Sequence, residues 1–487
     1  MILCILATLC WYFVTVSGRR SATLSGQTPL RPHEQLFTST AKGELLSLQR
    51  QQTTINSRSL TGYTAKAQAD YIQSLPGISN SNINFRQFSG YLDVGAKKHI
   101  FYWFVESQRK PATDPVIWWS NGGPGCSGLI GLLEEFGPFR VQPDNKTILI
   151  NPYSWNRLAN ILFVESPVGV GFSYSDAPEQ DYLTWNDSQT AQDNYFAVLS
   201  YFAKFPQYRK NDFYLSAESY GGHYVPQLAK EIVDRNANLN ANDVNKIKLK
   251  ALLIGNPVND AFSLQYTGND QAYWGHSLID SSTWHGIVKY CIEPFEKDPY
   301  NSSTGEGYQP WANADCVFFD NKASLLTQPQ YVSNASSTGL DPYGLDYSYC
   351  SSAQQQREML WYFQHRGSAT NNDSDVVFRP CIDSYTTAYL SSSKVQKALH
   401  VQSLKIPPYR TRTDKPSGCG DDDGACATVG SQYWMYGMNL TVASAFQPWY
   451  DYFEPDQFGG YFVKFKGIAL ATVHGAGHEV AYYTPQR

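Results

Sequence analysis

The sequence predicts an α/β fold, a mainly parallel central sheet with helices on its faces and a cap region inserted into it. Three observations predict it. Apolar runs of strand length alternate with helically spaced apolar positions, the pattern of parallel strands joined by crossover helices. A serine sits at the junction of one such strand and its following helix. The alternation breaks down between about Asp260 and Arg379 and then returns, which marks an insertion.

Taken in order, Ala69 to Gly77 reads as a short helix stopped by Pro76 and Gly77. Phe85 to Val94 and His99 to Glu106 are rich in β-formers and joined by Gly95-Ala96-Lys97-Lys98, so they form a hairpin at a sheet edge. Pro115 to Trp119 is a buried strand running into the glycine-rich turn Ser120-Asn121-Gly122-Gly123-Pro124-Gly125-Cys126. Ile161 to Glu165 is another strand, and its loop runs through Ser173. Ala191, Tyr195, Val198, Leu199 and Phe202 share a helix face that ends before Pro206. Leu249 to Gly255 is the next strand. Beyond the insertion, Ser393 to His400 restores the alternation, and Phe462 to Phe465 and Ile468 to Val473 lead to Gly475-Ala476-Gly477-His478.

The chain has 487 residues, 42% hydrophobic and 17% charged, enough for one large globular domain carrying an insertion. A net charge of -5 without basic runs argues against nucleic acid as a partner. Residues 2 to 16 are apolar but shorter than the ~20 residues of a membrane span, and Val16-Ser17-Gly18 suits signal peptidase. Secretory entry is therefore expected, with no stable membrane span. Sequons at Asn145, Asn186, Asn301, Asn334, Asn372 and Asn439 fit a lumenal glycoprotein that is extracellular or lysosomal/vacuolar. The expected organisation is a signal peptide over 1–18, a flexible leader or pro-segment over 19–65, core over 66–259, cap over 260–379, and the second part of the core over 380–487. Cys4 and Cys10 leave with the signal peptide, and seven of nine cysteines remain, an odd number.

The junction serine is Ser219, in Ala217-Glu218-Ser219-Tyr220-Gly221. A serine on a tight strand-to-helix turn presents its hydroxyl beside a helix N-terminus, which is the nucleophile elbow of the α/β-hydrolase fold. Ala217 replaces the first glycine of the usual G-x-S-x-G pattern, and both flanks stay small. Such a serine needs a base oriented by an acid, in the chain order Ser, Asp, His. His478, in a glycine-rich loop after a strand, is the candidate base, with His474 its competitor. Asp421, Asp422 and Asp423 are the candidate acids, and their spacing is not that of a calcium loop. No metal or cofactor is expected.

Four ordered blocks resemble the serine carboxypeptidase family, nearer to its animal cathepsin A-like (lysosomal protective protein-like) members. They are Asn121-Gly122-Gly123-Pro124-Gly125-Cys126-Ser127, Glu218-Ser219-Tyr220-Gly221-Gly222, Gly420-Asp421-Asp422-Asp423-Gly424-Ala425-Cys426 and Gly475-Ala476-Gly477-His478-Glu479-Val480. The resemblance runs from about Ala69 to the C-terminus. It implies Ser219 as nucleophile, His478 as general base and then acid, and Asp423 as the orienting acid. It also implies the backbone N–H groups of Gly123 and Tyr220 as oxyanion hole, and Asn121, Gly122, Glu135 and Glu218 as the grip on a substrate's C-terminal carboxylate. Glu134 is the neighbour that the match passes over. Crowded carboxyls raise one another's pKa, so the resemblance implies acid-optimal peptidase activity on peptide or protein C-termini, with amidase or esterase activity persisting at higher pH. Disulfides Cys126–Cys381 and Cys316–Cys350 are implied as well, with Cys426 a reduced thiol and Cys291 and Cys419 unassigned.

The match departs from the family pattern at two places. The family's acid follows a buried strand, whereas Val401 to Cys419 contains Pro407-Pro408 and no apolar run, so a strand before Asp423 is expected to be missing. Ala481 stands where a proline is usual, and the family's closing helix has no counterpart before Arg487. Alternatives to the peptidase are therefore a catalytically impaired binding protein and an acyltransferase on the same scaffold. The sequence leaves open a homodimer and processing into two chains.

Overall fold

The structure is a computed structural model that describes residues 11–15, 60–182, 185–260, 262, 265–297, 308–327, 343–347, 350–365, 379–402, 409, 425–450 and 457–485. Its centre is an eight-stranded sheet. Strands β1 (Trp11–Thr15), β2 (Gln87–Val94), β3 (Lys98–Val105), β4 (Val116–Ser120), β7 (Asn160–Val164), β9 (Phe213–Ser219) and β10 (Leu249–Pro257) lie in the order β1-β10-β9-β4-β7-β3-β2, with the short β8 (Tyr174–Ser175) paired to β3. The four inner strands β10, β9, β4 and β7 are parallel, and β3, β2 and β1 are antiparallel to their neighbours. A small hairpin, β5 (Phe139–Val141) with β6 (Ile148–Ile150), stands apart.

Side chains alternate across this sheet and both faces are buried, so the inner strands read as unbroken apolar runs. Tyr102, Phe104, Trp118 and Leu215 pack on one face with Val198, Phe202, Val225 and Leu228 of the helices Asp187–Lys204 and Gly221–Ala237. Phe101, Trp103, Ile117, Trp119 and Phe163 pack on the other with Leu133, Phe136, Tyr385 and Tyr389. The expected hairpin, the inner strands and both helices are present.

Several expectations are corrected. The first helix is Ala65–Ala69, not Ala69–Gly77, because the Thr64 hydroxyl accepts from the Ala67 N–H and caps it there. Ile72 and Leu75 are buried in the core outside any helix. The end of the expected leader is folded: the Tyr63 ring stacks on Phe88 at 5.2 Å and its hydroxyl donates to Glu106. Trp11–Thr15 pairs antiparallel with β10. The two late strands do not join the central sheet. They are β12 (Phe458–Phe465) and β13 (Ala469–Ala471), which form a separate antiparallel sheet with β11 (Val442–Tyr450).

The described part of the cap is helical, at Asp270–Gly275, Ser281–Ile287, Ala314–Thr327 and Ser352–His365. Its disulfide is Cys291–Cys316, and Cys350–Cys381 ties the cap to the returning core. The implied pairs Cys126–Cys381 and Cys316–Cys350 are thus replaced, because both Cys316 and Cys381 already have other partners. Of the sequons, Asn186 and Asn439 are exposed and Asn145 is partly so, while Asn301, Asn334 and Asn372 lie outside the described residues. Among the described residues no helix is long and apolar enough to cross a membrane.

Candidate active site

β9 delivers Ser219 at its C-terminal end with φ +58°, a conformation that costs a non-glycine residue about 1–3 kcal/mol and persists only where the surroundings impose it. The surroundings are close. Val258 N–H donates to the Ser219 carbonyl at 2.9 Å, and the helix Gly221–Ala237 begins one residue after Tyr220. A Cβ on Gly221 would collide with the Ala217 Cβ, and one on Gly222 with the Val258 carbonyl. Small residues on both flanks of the serine are a packing requirement.

The turn after β4 lies against this elbow. A Cβ on Gly122 would sit 2.6 Å from the Ser219 Cβ and closer still to the Tyr220 nitrogen, so only glycine allows the approach. Gly123 follows at φ +108°. The two backbone segments that carry the Gly123 and Tyr220 N–H groups are therefore neighbours across the serine.

Asn121 organises the acids. Its Oδ1 accepts from Trp119 Nε1 at 2.8 Å and from the Gly131 N–H at 3.2 Å, which fixes the amide. Its Nδ2 then donates to Glu135 Oε1 at 2.8 Å and to Glu218 Oε1 at 2.6 Å. Glu135 is 2% and Glu218 6% exposed, and the two share a hydrogen bond. Burial, followed for Glu135 by the Glu479 charge and for Glu218 by the charges of Glu135 and Glu479, raises both carboxyls above the usual carboxylate range. Glu134 is buried as well.

The loop after β13 brings His478 to this place. Its N–H donates to the Tyr343 carbonyl of the cap at 2.8 Å, and its carbonyl accepts from Asn256 Nδ2 at 2.7 Å. A ring nitrogen of His478 and carboxylate oxygens of Glu218 and Glu479 lie within 4.8 Å of one another, so the imidazole stands beside the residue preceding Ser219. A divalent cation could span that group. The competitor His474 is exposed and its ring packs on Phe458 at 5.3 Å. Asp421, Asp422 and Asp423 lie outside the described residues; Ala425 is described, and Ala427 N–H reaches Asn269 Oδ1 at 3.4 Å.

Sequence reasoning placed Ser219, Glu218, Asn121, Gly122, Gly123, Tyr220, Glu135 and His478, and the structure brings them together. It missed Glu479 and Asn256. Glu479 had a signal, since it follows His478 directly, whereas Asn256 is 222 residues from its partner.

Comparison with known proteins identifies the family of this chain. The serine carboxypeptidase family model matches residues 76–415 and 418–487. The chain is 32% identical over 464 residues to serine carboxypeptidase-like 27 of Arabidopsis thaliana, covering 88% of this chain and 92% of that one. It is 33% identical over 454 residues to serine carboxypeptidase 24 of the same plant, covering 86% and 90%. Among solved structures it is similar to the prohormone-processing carboxypeptidase Kex1(delta)p of Saccharomyces cerevisiae, with a TM-score of 0.67 at 22% identity over 85% of this chain and 93% of that one. The family model spans most of the chain and relatives above 30% identity cover it nearly throughout, so the chain belongs to the serine carboxypeptidase family.

Proposed function

We propose that this chain is an acid-optimal serine carboxypeptidase that releases C-terminal residues through an acyl-enzyme. Ser219 attacks the last peptide carbonyl, His478 takes its proton and returns it to the leaving amine, and Asp423 orients the imidazole. The Gly123 and Tyr220 N–H groups receive the oxyanion. Asn121, the Gly122 N–H, Glu135 and Glu218 hold the substrate's terminal carboxylate.

The observation that carries the reading is the Asn121 amide, hydrogen-bonded to both Glu135 and Glu218 one residue before the nucleophile. Serine hydrolysis alone has no use for two buried, proton-sharing acids there. A free carboxylate does: a protonated glutamate donates a hydrogen bond to it, and an ionised one repels it. Acid pH is therefore the working range.

The test is release of a free amino acid from an N-blocked dipeptide across pH 4 to 8, compared with the matching C-terminal amide. Activity that falls toward pH 8 on the acid substrate but persists on the amide supports the reading. A flat profile on the free acid contradicts it. An alcohol added to the assay identifies an acyltransferase if the acyl group passes to it in preference to water.

A second reading, an impaired carboxypeptidase-like binding protein, is favoured by one feature. Among the described residues, the central sheet beyond β10 holds only the antiparallel β1. Labelling of Ser219 by an organophosphonate separates the two, because only a working triad is labelled.

A further inference from the structure

Behind the turn that carries Asn121, Gly122 and Gly123 lies a second polar cluster with no place in the chemistry above. Glu165, at the end of β7, is fully buried. Its Oε1 accepts from the Ser127 hydroxyl at 2.5 Å and from the Tyr409 hydroxyl at 3.0 Å, and its Oε2 accepts from the Phe172 N–H at 2.6 Å. The Ser127 and Tyr409 hydroxyls are 3.0 Å apart, and Ser127 Oγ also accepts from the Leu129 N–H. The Tyr409 ring packs on Phe172 with centroids 4.4 Å apart. Gly171 makes room for the carboxyl, since a Cβ there would overlap it.

Ser127 closes the substrate turn, whose start and end are tied by the Cys126 N–H to the Gly122 carbonyl at 3.0 Å. Tyr409 comes from the segment Val401 to Cys419, the part of the sequence that departs most from the family pattern. That segment is also tied where it begins, by the Gln402 N–H to the Tyr91 hydroxyl at 3.0 Å. A buried cluster of this kind is rigid while fully bonded and costly when one member is lost.

We propose that Tyr409 is a positioning residue: through Ser127 and Glu165 its hydroxyl anchors the far end of the Asn121–Ser127 turn and so keeps the Gly123 N–H aimed at the reacting carbonyl. This rests on the carboxypeptidase reading for its kinetic consequence, but not for the anchoring. Asn121 has its own fixation through Trp119 and Gly131, so loss of the anchor is felt at Gly123 and not at the carboxylate grip. The predicted signature is lower kcat at nearly constant KM.

Tyr409→Phe keeps the ring on Phe172 and removes only the hydroxyl. In the full chain, kcat is expected to fall roughly tenfold to hundredfold, as for a small misplacement of a catalytic group, with KM changed less than about twofold. Backbone amides of residues 122–130 are expected to exchange hydrogen at least about tenfold faster than in the wild type, with the rest of the sheet unchanged. Ser127→Ala breaks the same bridge from the other side, and the double variant is expected to be no worse than Ser127→Ala alone, because coupled residues do not add. Wild-type exchange over 122–130 in Tyr409→Phe, or strictly additive effects in the double variant, would overturn the anchoring. If the wild type releases no amino acid, the carboxypeptidase reading fails, and the exchange measurement still decides the anchor.

Discussion

One amide nitrogen, that of Asn121, faces two acids, and the proton those acids share is the centre of the proposed chemistry. Truncating the amide leaves both carboxyls buried without their common donor. A buried hydrogen bond to a charged group contributes about 1.5–3 kcal/mol. Asn121→Ala should therefore lower kcat/KM on free-carboxylate peptides by roughly tenfold to hundredfold, and much less on an ester that lacks the carboxylate. An equal loss on both substrates would mean that the residue supports the fold and not the grip. Glu135→Gln tests the proton directly. A glutamine donates at every pH, so the decline in peptidase activity as pH rises toward the Glu135 value of about 8 should become shallower. If the variant keeps the wild-type slope, Glu135 is not the titrating donor.

At the scale of elements, the site depends on two backbones touching where side chains would normally intervene. Gly122→Ala pushes a methyl group into the Tyr220 nitrogen and the Ser219 Cβ, so it should move the oxyanion donors apart. Loss of one such donor costs about 10²–10³ in kcat, and a loss below about tenfold would show that the turn is not in contact during catalysis. The same closeness explains what could be read in advance. β4, β7 and β9 are legible because burial on both faces leaves unbroken apolar runs, and the elbow because Ala217, Gly221 and Gly222 have to be small. The pairing of Trp11–Thr15 with β10 was not, since an apolar run carries no mark of its strand partner. β11 was not either: Val442, Phe446 and Tyr450 are exposed, so burial imposes no period-two pattern. The cysteine connectivity lay beyond reach because spacing does not determine pairing. Asn256 and Tyr409 act across 222 and 244 residues, and no local pattern marks such partners.

Across the whole molecule, the buried acids make stability a function of pH with a definite sign. Burial raises Glu165 to about 7, and it also raises Glu135, Glu218 and Asp270. Each keeps its proton in the folded state at a pH where the unfolded chain has released it. Their contribution is complete below the ordinary carboxyl range and is lost as pH rises through the folded values. For Glu165 alone, the rise from 4.5 to about 7 corresponds to about 3 kcal/mol. Acids whose carboxyls are lowered, Asp144 by hydrogen bonds from Thr147 and Lys146 and Asp280 by Ser282 and Thr283, act in the opposite direction and only in more acidic solution. The thermal midpoint should therefore be highest in the mildly acidic range and fall steadily toward pH 8. Glu165→Gln should flatten the alkaline side of that curve, because the amide has no proton to lose. A midpoint that rises from pH 5 to pH 8 in calorimetry would mean that these acids are ionised in the folded protein. The carboxylate grip would then lack the neutral donor on which the acid-range activity depends.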